Sequence, residues 1–541
     1  MLGLAPRSDI WSALIYGKVE SVTSEEAALI ECGYIWFDWC LTQLFSRWLM
    51  DLATVPIDCD SSCDQINLHL RFSIPQITVR RPGDNPDMGS DVKKSVDSIP
   101  AYVEASQVFM ALCPDVEHHS SFQMCNLATW ARRGWCRVEC AAAAYGKLRK
   151  RMVVIRSSSV AFLMSPITYL FDTPGDGDFT VDTDRIQVYQ IMEEIVDRHI
   201  EALWCQGEVT CARLFSARRR ALLARLGTET DQEASRMMVA EPMSEFLQRF
   251  RFTCPTEQTA DGLGPITCAA IAGNISVLRE LVASKADMRA RNRKNTPSIF
   301  MCKGDTVFMN ACMHGGDPEV LAALLELRAD PRPQGVAPPL VYAGDAGNVA
   351  AVEYLLDSGL ADIEDVDSFG NTPVTNIPGC GSAECTLALL KRGANVNPPP
   401  GILGWSPLVM AIWDGSVECC RLLIEHRADV NRRIRGAGLT GAMMYRTFRL
   451  MRPFVSDGSP IKCLTLIEGA TPLSAASFFG HSDIIKLLLS ARADPDVQAR
   501  SGLRATDFAR LGRHDTAAFR LTFSKSALGE SACAETDGLS I

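Results

Sequence analysis

Thr471-Pro472-Leu473-Ser474-Ala475-Ala476-Ser477-Phe478-Phe479-Gly480-His481 is the stretch whose reading decides the fold. It pairs a Thr-Pro-Leu start with an alanine three residues on and a glycine four later. The same grammar recurs upstream in Ser406-Pro407-Leu408 with Ala411 and Gly415, and in Thr372-Pro373-Val374 with Gly381. Pro338-Pro339-Leu340 with Ala343 and Gly347 gives a further copy. These four starts lie 34, 34 and 65 residues apart. Each copy continues into residues with apolar side chains three and four apart, one face of a helix. Such segments are Val277–Val282, Val320–Leu325, Val352–Leu356, Thr386–Leu390, Cys420–Ile424 and Ile484–Leu489. A polar turn then closes the unit, as in Gly393-Ala394-Asn395, Arg427-Ala428-Asp429 and Arg492-Ala493-Asp494. Glycine at such a helix end tolerates positive φ at little cost, whereas arginine there is less comfortable.

A period near 33 residues with a T-P-L-x-x-A signature resembles the ankyrin repeat. The resemblance implies an α-solenoid over residues 263–520, with six copies from about Gly264. Ala505–His514 reads as a half-copy that caps the end. One unit cannot bury its apolar face alone; stacked units can, and stacking leaves an extended surface for a partner. Two spacings break the rule. Thr296-Pro297 starts a second copy in register, but Phe308-Met309-Asn310-Ala311 arrives ten residues late, so 298–307 reads as inserted. The 65-residue gap holds either an insert at 439–468 or a degenerate repeat. Pro378 sits where an inner helix should run and is expected to distort it.

The chain has 541 residues, enough for two to four domains, with 47% hydrophobic and 22% charged residues. Its net charge of −10 argues against nucleic acid as the partner. Neither Lys147–Arg151 nor Arg218-Arg219-Arg220 has the aromatic interleaving of such a site. The 20 cysteines lack the spacing of a small secreted scaffold, and the first residues show no apolar signal region. Tyr34–Ile57 is apolar but carries Asp38, Arg47 and Asp51, which excludes a membrane span there. An intracellular, cytoplasmic protein is the expectation. Cys113, His118, His119, Cys125, Cys136 and Cys140 form no C-x-x-C pair, and no metal site is expected.

The first 156 residues follow a different pattern. Tyr34–Phe37, Val108–Leu112 and Met152–Ile155 read as short strands, and Ile99–Ser106 and Arg132–Tyr145 as helices. That alternation predicts an α/β domain with a parallel sheet. Residues 157–262 read as a helical linker, with Asp184–Trp204 and Glu208–Leu226 as its helices. The first of these presents Ile186, Tyr189, Ile191, Ile195, Val196 and Ile200 as its apolar side. Residues 521–541 are expected to be a disordered tail.

Trp36-Phe37-Asp38-Trp39-Cys40 followed by Ser73-Ile74-Pro75-Gln76 resembles the Trp-x-Asp-x-x-x-Ile-x-Gln signature of heterokaryon-incompatibility domains, split by residues 41–72. Ser98–Val103 and Arg133–Glu139 are similar to later blocks of that family, which is itself similar to TIR domains. The whole resembles ankyrin-repeat proteins, abundant in some single-celled algae, that join such a domain to a repeat array. Without 41–72 the signature is continuous, so that segment reads as an insert, and little before Tyr34 resembles a first strand, so the domain reads as truncated. Three in-frame interruptions suggest retained intron sequence as a hypothesis, which RNA reads running through the codons for Leu41–Phe72 would contradict.

Trp135-Cys136-Arg137-Val138-Glu139 has the Trp-Cys-x-x-Glu spacing of TIR domains that cleave NAD. The resemblance implies Glu139 as the catalytic carboxylate, steadying positive charge at an anomeric carbon, with Asp38, Gln76 and Trp135 beside the nucleotide. The bland alternative pairs Glu139 with Arg132, Arg133 or Arg137. NAD would then be a substrate, and no resident cofactor is expected. The favoured expectation is a protein-binding scaffold rather than an enzyme. Its partner surface is expected at the hairpin tips: Asp330, Asp367, Asn397, Asn431, Arg432, Arg433 and Asp496. Asp and Asn in those positions equally suit the turns themselves.

Overall fold

The computed structural model describes residues 103, 108–113, 116–117, 124–125, 127–146, 151–157, 160–164, 171, 173–231, 241–296, 299–332, 337–451 and 460–512. The expected strand Tyr34–Phe37, the residues Asp38 and Gln76, the segment 41–72 and the tail 521–541 lie outside them. So does Ile99–Ser106 apart from Val103. The chain divides into two compact units, residues 1–199 with 225–227, and residues 200–224 with 228–541.

In the first unit, β1 (Val108–Leu112) pairs in parallel with a strand at Arg151–Ser157, in register from Val108↔Arg151 to Leu112↔Ile155. The crossover between them carries helices Leu127–Arg132 and Gly134–Tyr145. Arg151–Ser157 also pairs with Val160–Met164, antiparallel. The sheet is therefore mixed, where a parallel sheet was expected. The reason is chain length: two residues between strands can close only a hairpin, since a parallel return needs a crossover of a dozen or more. A second, two-stranded ribbon joins Val116–Glu117 to Met124–Cys125.

Among the described residues, the second unit holds six inner–outer helix pairs. Repeat 1 is Pro265–Ala272 with Ile275–Ala283, repeat 2 Val307–His314 with Pro318–Glu326, and repeat 3 Pro339–Asp345 with Val349–Asp357. Repeat 4 is Pro373–Asn376, a 3₁₀ turn Ile377–Cys380, and Ala383–Lys391. Repeat 5 is Pro407–Asp414 with Val417–Glu425, and repeat 6 Pro472–Phe479 with Ser482–Ser490.

Local chemistry fixes both ends of the inner helices. Proline at the first position has no N–H to leave unpaired. Ser406 and Thr471 accept from the N–H groups of Val409 and Ser474, at 3.3 and 3.4 Å. Gly415 and Gly480 then stop the helix at φ of 84° and 70°. The outer helices start on Asn274, Asn348, Ser382 and Ser416, whose side chains accept from the first turn. Their closing position is left-handed throughout: Gly359 and Gly393 in repeats 3 and 4, but Lys285, Arg328, Arg427 and Arg492 elsewhere, at φ of 64–68°. Pro378 breaks the fourth inner helix into its 3₁₀ turn, where it has no N–H to continue the α ladder.

Repeat 2 starts at Thr306, whose hydroxyl accepts from Met309 N–H at 3.3 Å, and not at Thr296. Thr296 instead bridges Met301, and Ile299 and Met301 are buried, so the longer hairpin packs against the array. After repeat 5, residues 438–466 carry helices Gly438–Met451 and Pro460–Leu466. Repeat 5 nevertheless bonds directly to repeat 6, since Ile434 N–H donates to Ala470 O and Gly469 N–H to Ile434 O, at 2.9 and 2.7 Å. Helix Ala505–Leu511 packs on the last inner helix with Phe508 buried. At the other end, Val209–Leu222 packs on the first inner helix. Of the apolar side expected for Asp184–Cys205, Ile191, Ile195 and Val196 are buried, whereas Ile186 is exposed and Val188 and Met192 take its place inside.

Candidate functional site

The hairpin tips are where the expected partner residues lie, and most of them tie the tips together. Asn397 Nδ2 donates to Arg427 O at 3.0 Å while its Oδ1 accepts from Asp429 N–H at 2.9 Å. Asn431 does the same one step on, to Arg492 O at 3.3 Å and from Asp494 N–H at 2.8 Å. At these two tips an asparagine thus ties one unit to the next, and the second pair bypasses residues 438–466. Asp330 accepts from Arg332 N–H and pairs with Arg291. Asp367 accepts from Phe369 N–H, Asn371 N–H and Asn376 Nδ2. Asp496 meets Arg504 at 3.1 Å, and Arg432 donates to Pro398 O at 2.6 Å. Arg433 is exposed.

Around the fifth and sixth inner helices, side chains that the sequence reading did not single out come together. Trp405, just before the fifth inner helix, stacks on Trp413 in its last turn with ring centroids 5.3 Å apart. Trp413 meets Phe479 of repeat 6 edge-on at 5.1 Å. Phe479 stacks in turn on His481 at 5.9 Å. All four rings are half-buried. Toward repeat 4 the row becomes acidic. A Cβ on Gly381 would lie 2.7 Å from the Asp414 carboxylate, so that side chain lies across the bare glycine. Cys380 Sγ donates to Asp345 Oδ1 at 3.4 Å. Burial, opposed by the Cys380 contact and reinforced by nearby Asp367, pushes the Asp345 carboxyl up to about 7. The signal available in the sequence was the acidic or aromatic residue within two positions ahead of Gly347, Gly415 and Gly480.

A second polar group lies between repeats 2 and 3, buried. Asp305 accepts from the Tyr342 hydroxyl at 2.6 Å and from Cys302 N–H at 2.7 Å. Asn292 and Asn310 bond each other at 3.2 Å beside it. Burial raises the Asp305 carboxyl and, more strongly, the Tyr342 hydroxyl. This network is enclosed and holds the long hairpin onto the array.

In the first unit, Glu139 lies on Gly134–Tyr145 and is buried, at 7% exposure. Trp135 Nε1 donates to Asp184 Oδ2 at 2.9 Å. Arg132 pairs with Asp178 at 3.2 Å, and Arg137 donates to the carbonyls of Ala131 and Thr173. Arg132 and Arg137 are two of the three arginines weighed as partners for Glu139. Among the described residues, no three His, Cys, Asp or Glu side chains group as metal ligands. No helix among them is long and apolar enough to cross a membrane.

Comparison with known proteins agrees with the repeat geometry. A family model of ankyrin repeats in three copies matches residues 266–367 and 340–434, and a single ankyrin repeat matches residues 468–500. The chain is similar to the ankyrin repeat and KH domain-containing protein mask-1 of Caenorhabditis elegans, 26% identical over 48% of this chain and 10% of that one. It is also similar to the ankyrin repeat protein nuc-2 of Neurospora crassa, 36% identical over 21% of this chain and 11% of that one. The matches therefore span about a tenth of those relatives. Among solved structures, the ankyrin repeat domain of Bcl-3 aligns at 21% identity with a TM-score of 0.34, over 48% of this chain and 99% of its own. Residues 266–434 and 468–500 of this chain are ankyrin repeats.

Proposed function

We propose that the chain is a protein-binding scaffold that holds a partner against the inner-helix edge and hairpin tips of its ankyrin array. One observation carries this reading: the half-buried aromatic row Trp405, Trp413 and Phe479, which runs across two successive repeats, from just before the fifth inner helix to the last residue of the sixth. Aromatic side chains supply much of the energy of protein interfaces because they bury large area at low entropic cost. The tip residues Asp330, Asp367, Asn397, Asn431, Arg432 and Asp496 would act by setting the edge's geometry, with exposed Arg433 free to contact the partner. Mask-1 and nuc-2 are ankyrin-repeat proteins by name, which supports an interaction role and names no partner. The test is cross-linking of the full chain in its native extract, with the sites mapped. Cross-links at the inner-helix edge and tips are expected; cross-links confined to the outer helices would sink the reading.

The N-terminal unit carries a second reading, as a TIR-like NAD-cleaving domain that the array directs. Glu139, a carboxylate on a helix between two parallel strands, supports it. Asp38 and Gln76 would complete the site with Trp135. NAD consumption by the full chain, abolished in Glu139→Ala, is the expected result; equal turnover in the variant, or none in either, rejects it.

A further inference from the structure

Helix Gly438–Met451 stands between repeats 5 and 6 and belongs to neither. One of its faces is fixed to the array. Tyr445 is buried, and its hydroxyl donates to Leu403 O at 2.7 Å. Gly441 passes so close to Ile402 O that a Cβ would lie 2.4 Å from it, and Arg449 pairs with Glu468 at 3.7 Å. The opposite face is apolar and open. Leu439, Met443 and Leu450 are 78%, 61% and 70% exposed, three of the eight large hydrophobic side chains exposed among the described residues. At about 100° per residue they fall within an arc of about 40°, with Arg446 beside them. Leu439, Met443, Arg446 and Leu450 follow one another at four, three and four residues, the spacing of a heptad seam. A stripe this narrow suits one partner helix. A helix that covers a core shows an apolar arc of about 100° or more, and one that lies on a membrane carries Trp or Phe in it; no ring stands in this stripe. The seam is also set in a cationic stretch. Residues 430–456 hold six arginines and no Asp, Glu or Lys, in a chain of net charge −10. Arg446 is exposed, and among the described residues no carboxylate pairs with it.

We propose that helix Gly438–Met451 docks an acidic amphipathic helix of a partner protein, one with apolar side chains along its own heptad seam and flanking carboxylates that reach Arg446. Burial of Leu439, Met443 and Leu450 supplies the attraction. The arginine between Met443 and Leu450 fixes the register and selects an acidic partner over a basic one, as charged groups at helix seams do. A second copy of this chain does not fit, because both copies would bring the same arginines and no acid to the contact. The inference uses other side chains than the aromatic row and does not rest on it.

Fluorescence anisotropy of the full chain with three labelled helical peptides tests this. All three peptides carry leucine at the a and d positions, and their e and g positions are all glutamate, all lysine or all glutamine. The glutamate peptide is expected to bind best, and less well as salt rises from roughly 50 to roughly 500 mM. Met443→Ser with Leu450→Ser should weaken it about tenfold or more. Arg446→Glu should weaken the glutamate peptide about tenfold and strengthen the lysine peptide, an inversion that a misfolded chain cannot give. Arg421→Glu, the same charge change on an exposed outer helix, should leave both affinities as they were. Binding of all three peptides alike, binding of none, or no inversion in Arg446→Glu would overturn the proposal. Capture of the full chain by phosphatidylserine vesicles, lost in the serine variant while no peptide binds, would assign the helix to a membrane instead. Self-association lost in that variant would assign it to a second copy.

Discussion

Asp345 shows how one side chain can report on the fold of the array. Its folded-state value of about 7 lies above the ordinary 3.8 because burial and Asp367 disfavour the charge. A carboxyl raised on folding holds its proton longer in the folded chain. Its contribution to stability is therefore complete below about pH 4 and lost as pH rises toward 7. The wild-type urea midpoint is expected to fall between about pH 5 and about pH 8 more steeply than that of Asp345→Asn. Parallel curves for the two would show that the carboxyl is not carrying this burden. Asn431 gives a second residue-scale expectation. It makes two bonds to repeat 6, so Asn431→Ala should cost ~1–2 kcal/mol in denaturation, with Asn397→Ala similar. An unchanged midpoint would mean that helix packing alone sets the spacing at the tips.

At the scale of elements, the fourth inner helix is the weak unit, four residues of α-helix and then a 3₁₀ turn. If Pro378 causes the break, Pro378→Ala should restore the α ladder and raise stability by ~1–3 kcal/mol, with a gain in helical dichroism. A loss of stability would instead assign the break to the packing of buried Ile377. The elements differ in how far the sequence could reveal them, for physical reasons. Proline and glycine fix both ends of an inner helix by backbone geometry alone, so those helices were legible. The second repeat was misread by one threonine, because Thr296-Pro297 carries the same local signal as a true cap and only burial of Ile299 and Met301 tells them apart. Arginine at φ of 64–68° looked like a poor fit, yet the turn persists because helix packing on both sides fixes the backbone there. The aromatic row was not legible, since repeat pattern constrains the buried positions and leaves the last turn of each inner helix free to vary. Likewise the antiparallel strand Val160–Met164 has the apolar content of a parallel one, and only its two-residue link to Arg151–Ser157 decides direction.

For the second unit as a whole, a stacked array has two apolar ends that must be covered. Helix Val209–Leu222 covers the first, and buried Arg213 anchors it. Arg213 donates to the carbonyls of Phe250 and Arg251 and pairs with Glu257 at 2.8 Å, with its guanidinium 3.6 Å over the Phe252 ring. Burial would raise the Glu257 carboxyl, but Thr253 and Arg213 outweigh it and hold the carboxyl below its ordinary 4.5. A carboxyl lowered on folding stabilises above its unfolded value, so this contribution is present from about pH 5 upward and is lost as pH falls below about 4. Removing the guanidinium leaves three acceptors facing a buried gap, and breaking a buried pair in this way costs about 3–5 kcal/mol. In a nearest-neighbour array that loss is local: it strips the cap from repeat 1 while repeat 6 still has Ala505–Leu511 upon it. Arg213→Ala should therefore speed hydrogen exchange in Pro265–Ala272 and Ile275–Ala283 well before Ser482–Ser490 responds. Equal acceleration at both ends would mean that the array unfolds as one cooperative block, and the division into cap, repeats and cap would then describe its geometry without describing its energetics.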